Sequence, residues 1–369
     1  MTEERTELDV NASILKHIGM IKPWIPQRTV VSVGEYASDI LRNVNFKKRE
    51  VSTLFVDKAK GAISSNLGSS SIFEVDEKAD LHYWFNVQHF LAENEAFREK
   101  LKNKTPEKLG SAVVVASTGE GIGSFLLPEV ASRLTDQAVY SAGFAILPSE
   151  FQPPDAFFNA LWSMGKCESN GIAQILIDRD GLEGYVGVDR KGSVLKGDGV
   201  FGYLLELVLE KEFFVQELCE LCNSYNVSTF TILAATGASL KVHGSFENIL
   251  NTALLKALLT FDMSSATVLY VVIRMPTQLR SKLTHGRIEL TVNKWFKEKA
   301  NLKSAIVSEP VYVNDGGDRI DVIMFVGGFD LSKTAASIDR KVEDIVSYAV
   351  KNGFLKEKEW RELVKQLAR

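Results

Sequence analysis

The first half of the chain alternates short apolar runs with segments that carry apolar residues at helical spacing. Each run has the length of a buried strand, and several end in a glycine or a polar turn. Strands that alternate with helices predict an α/β fold with a Rossmann-like, doubly wound parallel sheet. The predicted strands cover residues 29–33, 51–56, 112–116, 139–147 and 173–177.

The middle of the chain predicts one long helix over residues 201–223. No proline or glycine follows Gly202 in this stretch, and its apolar residues cover most of the helix circumference. A helix that is apolar nearly all round is buried. We therefore expect residues 200–225 to form a central helix that connects two domains.

The other segments complete a two-domain organisation. Residues 1–27 predict an N-terminal extension that ends in two prolines, residues 28–199 the first domain, and residues 226–331 a second, α+β domain. The second domain is expected to hold a helix at 248–259 and strands at 267–273, 304–308 and 321–326.

Residues 332–369 predict a helical tail with two apolar stripes, the second of which contains Trp360. Two interpretations of this tail stay open. It either packs back on the body of the protein, or its last helix docks a protein partner or a membrane surface through Trp360.

Composition narrows the classes of partner. The net charge is -4 and the pI is about 5.9, so the long-range positive field that attracts nucleic acid or an anionic membrane is missing. Three cysteines do not form a disulfide framework, which favours a reducing cytoplasm. The longest apolar runs are too short to span a bilayer, so a transmembrane protein is not expected.

Metal and redox motifs are weak. Cys219 and Cys222 form a CxxC inside the predicted central helix, without a second pair or a histidine motif, so two small buried side chains are favoured over zinc. His82 and His89 lie two helical turns apart in an aromatic segment, which favours packing over catalysis. No metal site is predicted.

A glycine-rich turn carries the strongest chemical signal. Residues 116–124 read ASTGEGIGS, directly after a buried strand and at the start of a helix. Backbone N–H groups of such a turn can converge on a phosphate, and the helix dipole adds to the attraction. A plain tight connection between strand and helix is the alternative.

This turn resembles the signature GGGTGTG of the tubulin/FtsZ superfamily, and five further segments resemble FtsZ in the same order. Residues 31–39 resemble the first glycine-rich loop VGVGGAGSN, and residues 55–59 the strand end IAINTDAQA. Residues 67–79 resemble LGAGANPEVGRKA, residues 225–232 the loop INVDFADV after the central helix, and residues 317–330 the last strand GDEIRVTVIATGFD.

The resemblance implies the two-domain architecture of this family, with GTP or GDP and Mg²⁺ on the first domain at a subunit interface. It also implies a loop of the next protomer that completes hydrolysis on polymerisation. The positions that correspond to the nucleotide site are Gly34, Ser38, Gly68, Ser69, Ser70, Gly119, Glu120, Gly121, Gly123, Ser124, Gln152, Arg179, Asp180 and, in an uncertain register, Glu206.

Several of these positions depart from the family pattern. Glu35 and Glu120 replace glycines, Gln152 replaces the ribose-binding glutamate, and Arg179 replaces the base-reading asparagine. A carboxylate 4 Å from a phosphate charge costs about 1 kcal/mol in water and about 4 kcal/mol at an effective dielectric near 20. The substitutions therefore predict weak or lost nucleotide binding, unless Glu120 points outward or shares a magnesium ion with the phosphates.

The loop that completes hydrolysis is also altered. Asn226 matches the family asparagine, whereas Ser228 and Thr231 stand where the family has aspartates. A hydroxyl cannot polarise water as a carboxylate does at neutral pH, so fast GTP hydrolysis is not expected.

Three functions follow from the resemblance. The first is a divergent FtsZ-like cytoskeletal protein with weak or absent GTPase activity, which associates with itself or with an FtsZ-like paralogue through longitudinal contacts. The second is an active GTPase that uses Glu120, Arg179 and Asp180 as altered ligands. The third is a monomeric binding module that has kept only the fold. A role in cell division or cell shape is what the resemblance implies.

Overall fold

The computed structural model describes residues 27–44, 46, 51–57, 70–74, 80–95, 109–136 and 140–367. The strands in these residues are β1 (Gln27–Val33), β2 (Val51–Asp57), β3 (Ser70–Glu74), β4 (Leu109–Ser117), β5 (Tyr140–Leu147), β6 (Ala173–Asp178), β7 (Val186–Val188), β8 (Val194–Lys196), β9 (Thr229–Ser239), β10 (Val268–Pro276), β11 (Ser304–Val307), β12 (Val311–Val313) and β13 (Arg319–Gly327).

The α-helices in the same residues are α1 (Glu35–Arg42), α2 (Trp84–Glu93), α3 (Gly121–Asp136), α4 (Pro154–Ser169), α5 (Arg179–Gly184), α6 (Asp198–Leu209), α7 (Phe214–Tyr225), α8 (Leu240–His243), α9 (Phe246–Leu254), α10 (His285–Lys299), α11 (Ser332–Lys341), α12 (Glu343–Lys351) and α13 (Glu357–Leu367).

Eleven strands form one twisted sheet in the order β11-β10-β13-β9-β6-β5-β4-β1-β2-β3, with β12 also pairing with β10. The six strands from β3 to β6 are parallel to their neighbours, which confirms the predicted doubly wound parallel sheet. β9 pairs in parallel with β6 and antiparallel with β13. The sheet therefore continues from the first predicted domain into the second.

Helices cover both faces of this sheet, which explains why its strands are apolar on both sides. One apolar core lies under α1, α6 and α7. The other lies under α2, α3, α4, α9, α10 and the C-terminal helices. The predicted strands agree with the observed ones, whereas β3, β9, β12 and the hairpin of β7 and β8 were not expected.

The predicted single central helix is wrong. It consists of α6 and α7, separated by a turn at residues 210–213. The Arg28 guanidinium donates a hydrogen bond to the Leu209 carbonyl, which a continuous helix would pair with Phe213. Glu210 in the turn also forms a 3.1 Å ion pair with Arg274 of β10. Long-range partners thus replace the intrahelical hydrogen bonds at this point.

The C-terminal tail packs back on the first half of the chain. The Trp360 ring stacks on Phe158 of α4 at 5.1 Å, and its indole N–H donates to Asp339 at 2.7 Å. Leu363 lies against Gly165 of α4. Of the two interpretations of the tail, packing on the body is therefore the observed one, because Trp360 is only 3% exposed. Among the described residues no helix is both long and apolar enough to cross a membrane.

Candidate functional site

The parallel half of the sheet creates a switch point between β4 and β1, because the chain winds outward from this pair in both directions. In open α/β sheets ligands bind at the carboxyl ends of the strands on either side of such a point. A cleft of about 440 Å³ lies there. This switch-point cleft is lined by Glu35, Asp80, Leu81, His82, Gly119, Glu120, Gly121, Ile122, Gln152, Pro153, Asp155 and Ala156.

The signature turn is built by close backbone packing. A Cβ atom on Gly121 would lie 2.2 Å from the Leu81 carbonyl oxygen, and one on Gly123 would lie 2.0 Å from the Ser117 carbonyl oxygen. Ser124 is buried and its hydroxyl donates to the Gly121 carbonyl at 2.9 Å. Gly121, Gly123 and Ser124 therefore shape the turn between β4 and α3, and their predicted contact with a nucleotide stays a prediction.

Two side chains of the signature turn, Ile122 and Phe125, belong to the core. Ile122 is 6% exposed and Phe125 is 8% exposed. The Phe125 ring stacks on Trp162 of α4 at 5.6 Å. The Phe125 ring therefore packs α3 against α4, and both side chains make this part of the turn apolar.

The first glycine-rich loop faces the signature turn across the cleft. Gly34 has a φ of 88°, which favours glycine, and its N–H donates to the Val56 carbonyl at 2.9 Å. A methyl group on Gly34 would lie 2.5 Å from Oε2 of Glu120. The Glu120 carboxylate therefore turns inward, between the two glycine-rich loops, at the amino end of α3.

Ser38 does not face the cleft. Its side chain is buried under α1, where its hydroxyl lies 3.1 Å from the hydroxyl of Ser32. Gly68 and Ser69 lie outside the described residues. Ser70 begins β3, where its backbone pairs with Thr53 of β2. The assignment of Ser70 to a phosphate-binding loop stays a prediction, and the structure places this residue at the first position of an edge strand.

The switch-point cleft is acidic. Four carboxylates line it, from Glu35, Asp80, Glu120 and Asp155, and His82 is the one basic side chain among the lining residues that the structure describes. His82 lies 3.2 Å from the Asp155 carboxylate, which also accepts a 2.6 Å hydrogen bond from the Tyr83 hydroxyl. Burial, followed by this hydrogen bond to Asp155, raises the pKa of Tyr83.

The histidines were expected to pack in the interior, and this interpretation is wrong. The side chains of His82 and His89 are 56% and 75% exposed. His89 pairs with Glu93 one turn along α2, so the aromatic rings around the histidines supply the packing of this helix. The CxxC cysteines were predicted to be two small packed side chains, and the structure agrees. Cys222 is buried, and the Cys219 thiol donates to the Ser141 carbonyl at 3.4 Å.

Gln152, at the predicted ribose position, lines the switch-point cleft. Its side-chain oxygen accepts a 3.1 Å hydrogen bond from the Ser149 backbone N–H, so the side chain closes the turn between β5 and α4. Gly119 lies beside it, because a Cβ atom on Gly119 would be 3.5 Å from the Gln152 oxygen. The structure thus brings these two predicted residues together.

The predicted base-reading residues are held by protein partners. The Arg179 guanidinium stacks on the Tyr36 ring at 4.4 Å and forms a 3.0 Å ion pair with Glu183. The Tyr36 hydroxyl donates to Asp198 at the start of α6 at 2.7 Å. This chain of contacts joins the first turns of α1, α5 and α6.

Asp180 and Glu206 lie outside the lining of the switch-point cleft. Asp180 accepts hydrogen bonds from the Ser149 hydroxyl at 2.5 Å and from the Glu150 backbone N–H at 2.7 Å. It therefore fixes the loop after β5 to α5. Glu206 is half-buried on α6.

The predicted hydrolysis loop lies at the amino ends of β6 and β9, opposite the carboxyl ends of the strands where the cleft lies. Asn226 ends α7 with a φ of 52°, in the left-handed region. Ser228 donates through its hydroxyl to Glu168 of α4, and its carbonyl accepts from the Gln174 N–H at the start of β6. Thr231 is fully buried in β9, and its hydroxyl donates to the Leu176 carbonyl at 2.9 Å.

Thr231 is therefore a strand residue and has no access to a second protein, which corrects its assignment to a catalytic loop. The resemblance of residues 225–232 to INVDFADV did not reveal that this segment enters β9 directly. Glu168 is the acidic side chain that the structure brings to this edge, where it also accepts a 3.0 Å hydrogen bond from the Thr229 hydroxyl. Its distance of 60 residues from Ser228 hid this contact from sequence reasoning.

No protein-family model and no curated protein sequence matches this chain. Its backbone is similar to CetZ1 from Haloferax volcanii as a GDP-bound monomer, with a TM-score of 0.66, 15% identity, and coverage of 86% of this chain and 99% of CetZ1. It is also similar to CetZ2 from Haloferax volcanii as a GTPγS-bound protofilament, with a TM-score of 0.65, 16% identity, and coverage of 88% and 99%.

A third similar structure is the empty FtsZ dimer of M. jannaschii, with a TM-score of 0.58, 15% identity, and coverage of 86% of this chain and 92% of FtsZ. The three comparisons span nearly the full length of each known chain, so they concern the whole architecture. Identities this low carry information on the fold alone. The chain therefore has the fold of the tubulin/FtsZ superfamily, with a sequence that has diverged far from these three structures.

Proposed function

We propose that this protein is a divergent cytoskeletal protein of the tubulin/FtsZ type, which forms or modulates filaments in the cytoplasm with weak or lost binding and hydrolysis of GTP. The fold and its near-complete coverage of a protofilament structure support the filament part of the proposal. The contents of the switch-point cleft support the nucleotide part.

The observation that carries the proposal is the position of Glu120. Its carboxylate lies against Gly34, at the amino end of α3, where backbone N–H groups and the helix dipole attract an anion. A phosphate that approached the same point would meet this negative charge first. At 4 Å the repulsion amounts to about 1 kcal/mol in water and about 4 kcal/mol at an effective dielectric near 20.

The other lining residues act in the same direction. Glu35, Asp80 and Asp155 add carboxylates to the switch-point cleft, and the lining residues that the structure describes include no lysine or arginine. Arg179 stacks on Tyr36 and pairs with Glu183 instead. Among the described lining residues, a triphosphate therefore meets carboxylates and none of the lysines or arginines that phosphate sites commonly use.

Hydrolysis in a head-to-tail filament would need a carboxylate that can reach water at the amino ends of β6 and β9, where the Glu168 carboxylate is held by the hydroxyls of Ser228 and Thr229. Thr231 is buried and Ser228 is bound to Glu168, so the two positions that resemble the catalytic aspartates supply no acid. We expect slow turnover at most, because a hydroxyl is a poor general base at neutral pH.

The partners that fit this proposal are further copies of the chain or an FtsZ-like paralogue, through longitudinal contacts between the two ends of the sheet. Sedimentation of the purified protein, alone and with added nucleotide, measures self-association directly. A strictly monomeric protein under both conditions that also binds no paralogue would contradict the filament part of the proposal.

An active GTP-binding protein with altered ligands is the second candidate. It is favoured by the ligands of similar structures, which are GDP in CetZ1 and GTPγS in CetZ2. In that case Glu120 would hold Mg²⁺ together with the phosphates, since magnesium is commonly bound by one or two carboxylates and phosphate oxygens.

Calorimetric titration of GTP with Mg²⁺ into nucleotide-stripped protein separates the two candidates. We compare wild type with Glu120→Gln, which keeps the size of the side chain and removes its charge. The control is Glu212→Gln, in the exposed turn between α6 and α7. It changes the net charge by the same amount, at a residue that does not line the cleft.

The proposal predicts that wild type binds GTP weakly or not at all. Glu120→Gln should bind GTP at least about tenfold more tightly, which corresponds to a gain of about 1.4 kcal/mol or more in binding free energy. Glu212→Gln should match wild type. Micromolar binding by wild type that Glu120→Gln weakens would refute the repulsive role of Glu120 and establish the second candidate.

A further inference from the structure

The turn that follows β5 presents an aromatic side chain to solvent. Phe151 is 86% exposed, the highest value for an aromatic residue in the part of the chain that the structure describes. It directly precedes Gln152 and Pro153, which line the switch-point cleft. Single exposed apolar side chains are common on protein surfaces, so the way in which this one is held decides what it can do.

Hydrogen bonds fix the backbone on both sides of Phe151. Asp180 accepts from the Ser149 hydroxyl at 2.5 Å and from the Glu150 N–H at 2.7 Å. The Gln152 N–H donates to the Ser149 carbonyl at 2.9 Å, and the Gln152 side-chain oxygen accepts from the Ser149 N–H at 3.1 Å. A ring on a turn held in this way loses little conformational freedom when a partner buries it, which favours its use as an interface anchor.

A cavity of about 250 Å³ lies at the other end of β5. We call it the amino-end cavity. An engineered cavity of about 150 Å³ already accepts benzene, so the amino-end cavity has room for a phenyl ring. It is lined by the first two residues of β5, by the start of β6 and by the CxxC of α7, which are Tyr140, Ser141, Ile172, Ala173, Cys219 and Cys222.

The polar groups in the amino-end cavity already use their donors within the protein. The hydroxyls of Thr135 and Ser141 both donate to the Ala131 carbonyl at 3.0 Å. The Cys219 thiol donates to the Ser141 carbonyl at 3.4 Å. A polar ligand would give up its hydration without gaining these donors, whereas an apolar ring gives up nothing. The cavity therefore favours an apolar occupant, and Tyr140, which is 40% exposed, offers a second ring to it.

The exposed ring and the cavity stand at opposite ends of one strand. Tyr140 begins β5, and Phe151 follows its last residue, Leu147, by four positions. At about 3.3 Å per residue, the strand separates the two features by more than about 20 Å. A copy shifted along β5 would bring its cavity to the Phe151 ring of the copy before it. Such a heterologous contact leaves a free ring at one end and a free cavity at the other, so it continues into an open chain.

We propose that the Phe151 ring of one copy inserts into the amino-end cavity of the next copy. This inference rests on the proposed function, because it names the contact through which copies associate. One phenylalanine buries about 150–250 Å², whereas a stable interface buries about 800 Å² per partner. Phe151 therefore anchors a wider contact, which continues from this turn onto the adjoining switch-point cleft. The contact requires no bound nucleotide.

Sedimentation velocity of the full chain over a range of protein concentrations tests the anchor. We expect wild type to associate and Phe151→Ala to weaken association about tenfold or more. The control is Leu255→Ala, which removes an 87% exposed apolar side chain at the end of α9. It should associate as wild type does. Equal weakening in both variants would mean that general surface hydrophobicity drives association, which would overturn the proposal.

Variants of Cys219 test the cavity. Cys219→Phe fills it with a ring of its own and should weaken association as Phe151→Ala does, whereas Cys219→Ala leaves it open and should associate like wild type. Circular dichroism checks that each variant is folded. The Phe151→Ala result is independent of the folding of a cavity variant, because that side chain is exposed.

A mixture of Phe151→Ala and Cys219→Phe gives the sharpest result. Only one of the four possible pairings then joins an intact ring to an open cavity, so the mixture should form one-to-one dimers and nothing larger. A mixture that stays monomeric, or one that forms long assemblies, would overturn the proposal.

Two other outcomes separate this inference from the proposed function. Association of wild type that survives both Phe151→Ala and Cys219→Phe would overturn the ring-in-cavity contact and leave the filament proposal standing. A wild type that is monomeric at every concentration, with and without nucleotide, would overturn both. A wild type that stops at a dimer would contradict the open head-to-tail arrangement.

Discussion

Asp321 offers the sharpest test of how α6 is held against the second half of the sheet. Its side chain is fully buried at the start of β13. One carboxylate oxygen accepts from the Gly237 backbone N–H at 2.8 Å, and the other accepts from the Tyr203 hydroxyl and from Arg274 Nε at 2.9 Å. This network connects α6, β9, β10 and β13.

We expect Asp321→Ala to lower the free energy of unfolding by about 3–5 kcal/mol, the usual cost of breaking a buried ion pair from one side. The Arg274 guanidinium is 4% exposed and would keep only Glu210, whose side chain is 23% exposed, as an ionic partner. Burial by itself disfavours the charge on Arg274, and the carboxylates, Asp321 first, raise its pKa and keep it charged. The variant therefore leaves a buried charge without its main counterion.

The assay is urea unfolding followed by circular dichroism, on Asp321→Ala, Arg274→Met and the double variant. The double variant should be more stable than the sum of the two single losses predicts, by about 1–3 kcal/mol, because neither charge is then left alone. Glu298→Ala is the control, since it breaks an exposed pair with Lys294 and should cost less than about 1 kcal/mol.

Two outcomes would refute this reasoning. If Asp321→Ala costs no more than Glu298→Ala, the network does not stabilise the packing of α6 on β9, β10 and β13. If the two single losses add in the double variant, Arg274 and Asp321 contribute independently and the ion pair is not the stabilising element.

Two further predictions concern the signature turn and the thiols. Gly123→Ala should destabilise the fold by about 1–3 kcal/mol or more in the same urea assay, because its Cβ atom would lie 2.0 Å from the Ser117 carbonyl oxygen. Gly199→Ala on α6 is the control. Its Cβ atom meets nothing within 4 Å, so this variant should be as stable as wild type or more stable by up to about 1 kcal/mol. Similar stability of both variants would contradict the close packing of α3 on β4. Burial raises the pKa of Cys219 to about 11 and raises those of Cys167 and Cys222 further, so a disulfide reagent at pH 8 should label native protein much more slowly than unfolded protein. Rapid labelling of the native protein would show that the thiols are accessible.

Local sequence patterns predicted the parallel half of the fold well. Continuous apolar runs such as residues 112–116 become strands that are covered on both faces, and glycines such as Gly34 and Gly123 stand where the backbone turns or packs closely. The resemblance to FtsZ, and not the local patterns, assigned Glu120, Gly119 and Gln152 to one site, and the three residues line one cleft.

The candidate site was predicted less completely, because its chemistry depends on contacts between distant residues. His82 meets Asp155 from a separate element, and Arg179 stacks on Tyr36 across more than a hundred residues. The sequence placed Arg179 at a ligand position, but the stack and the ion pair with Glu183 are set by how α1, α5 and α6 meet. Glu168, at the other edge, was missed for the same reason.

What the sequence by itself determined is therefore the alternation of strands and helices and the presence of glutamates in both glycine-rich loops. The tertiary structure decided the rest. It ended α6 at Leu209, where Arg28 binds the free carbonyl, drew Thr231 into the buried β9, and turned the Glu120 carboxylate toward Gly34. The physical reason is that periodicity records which residues are buried, whereas hydrogen bonds, ion pairs and close contacts depend on which distant segment covers them.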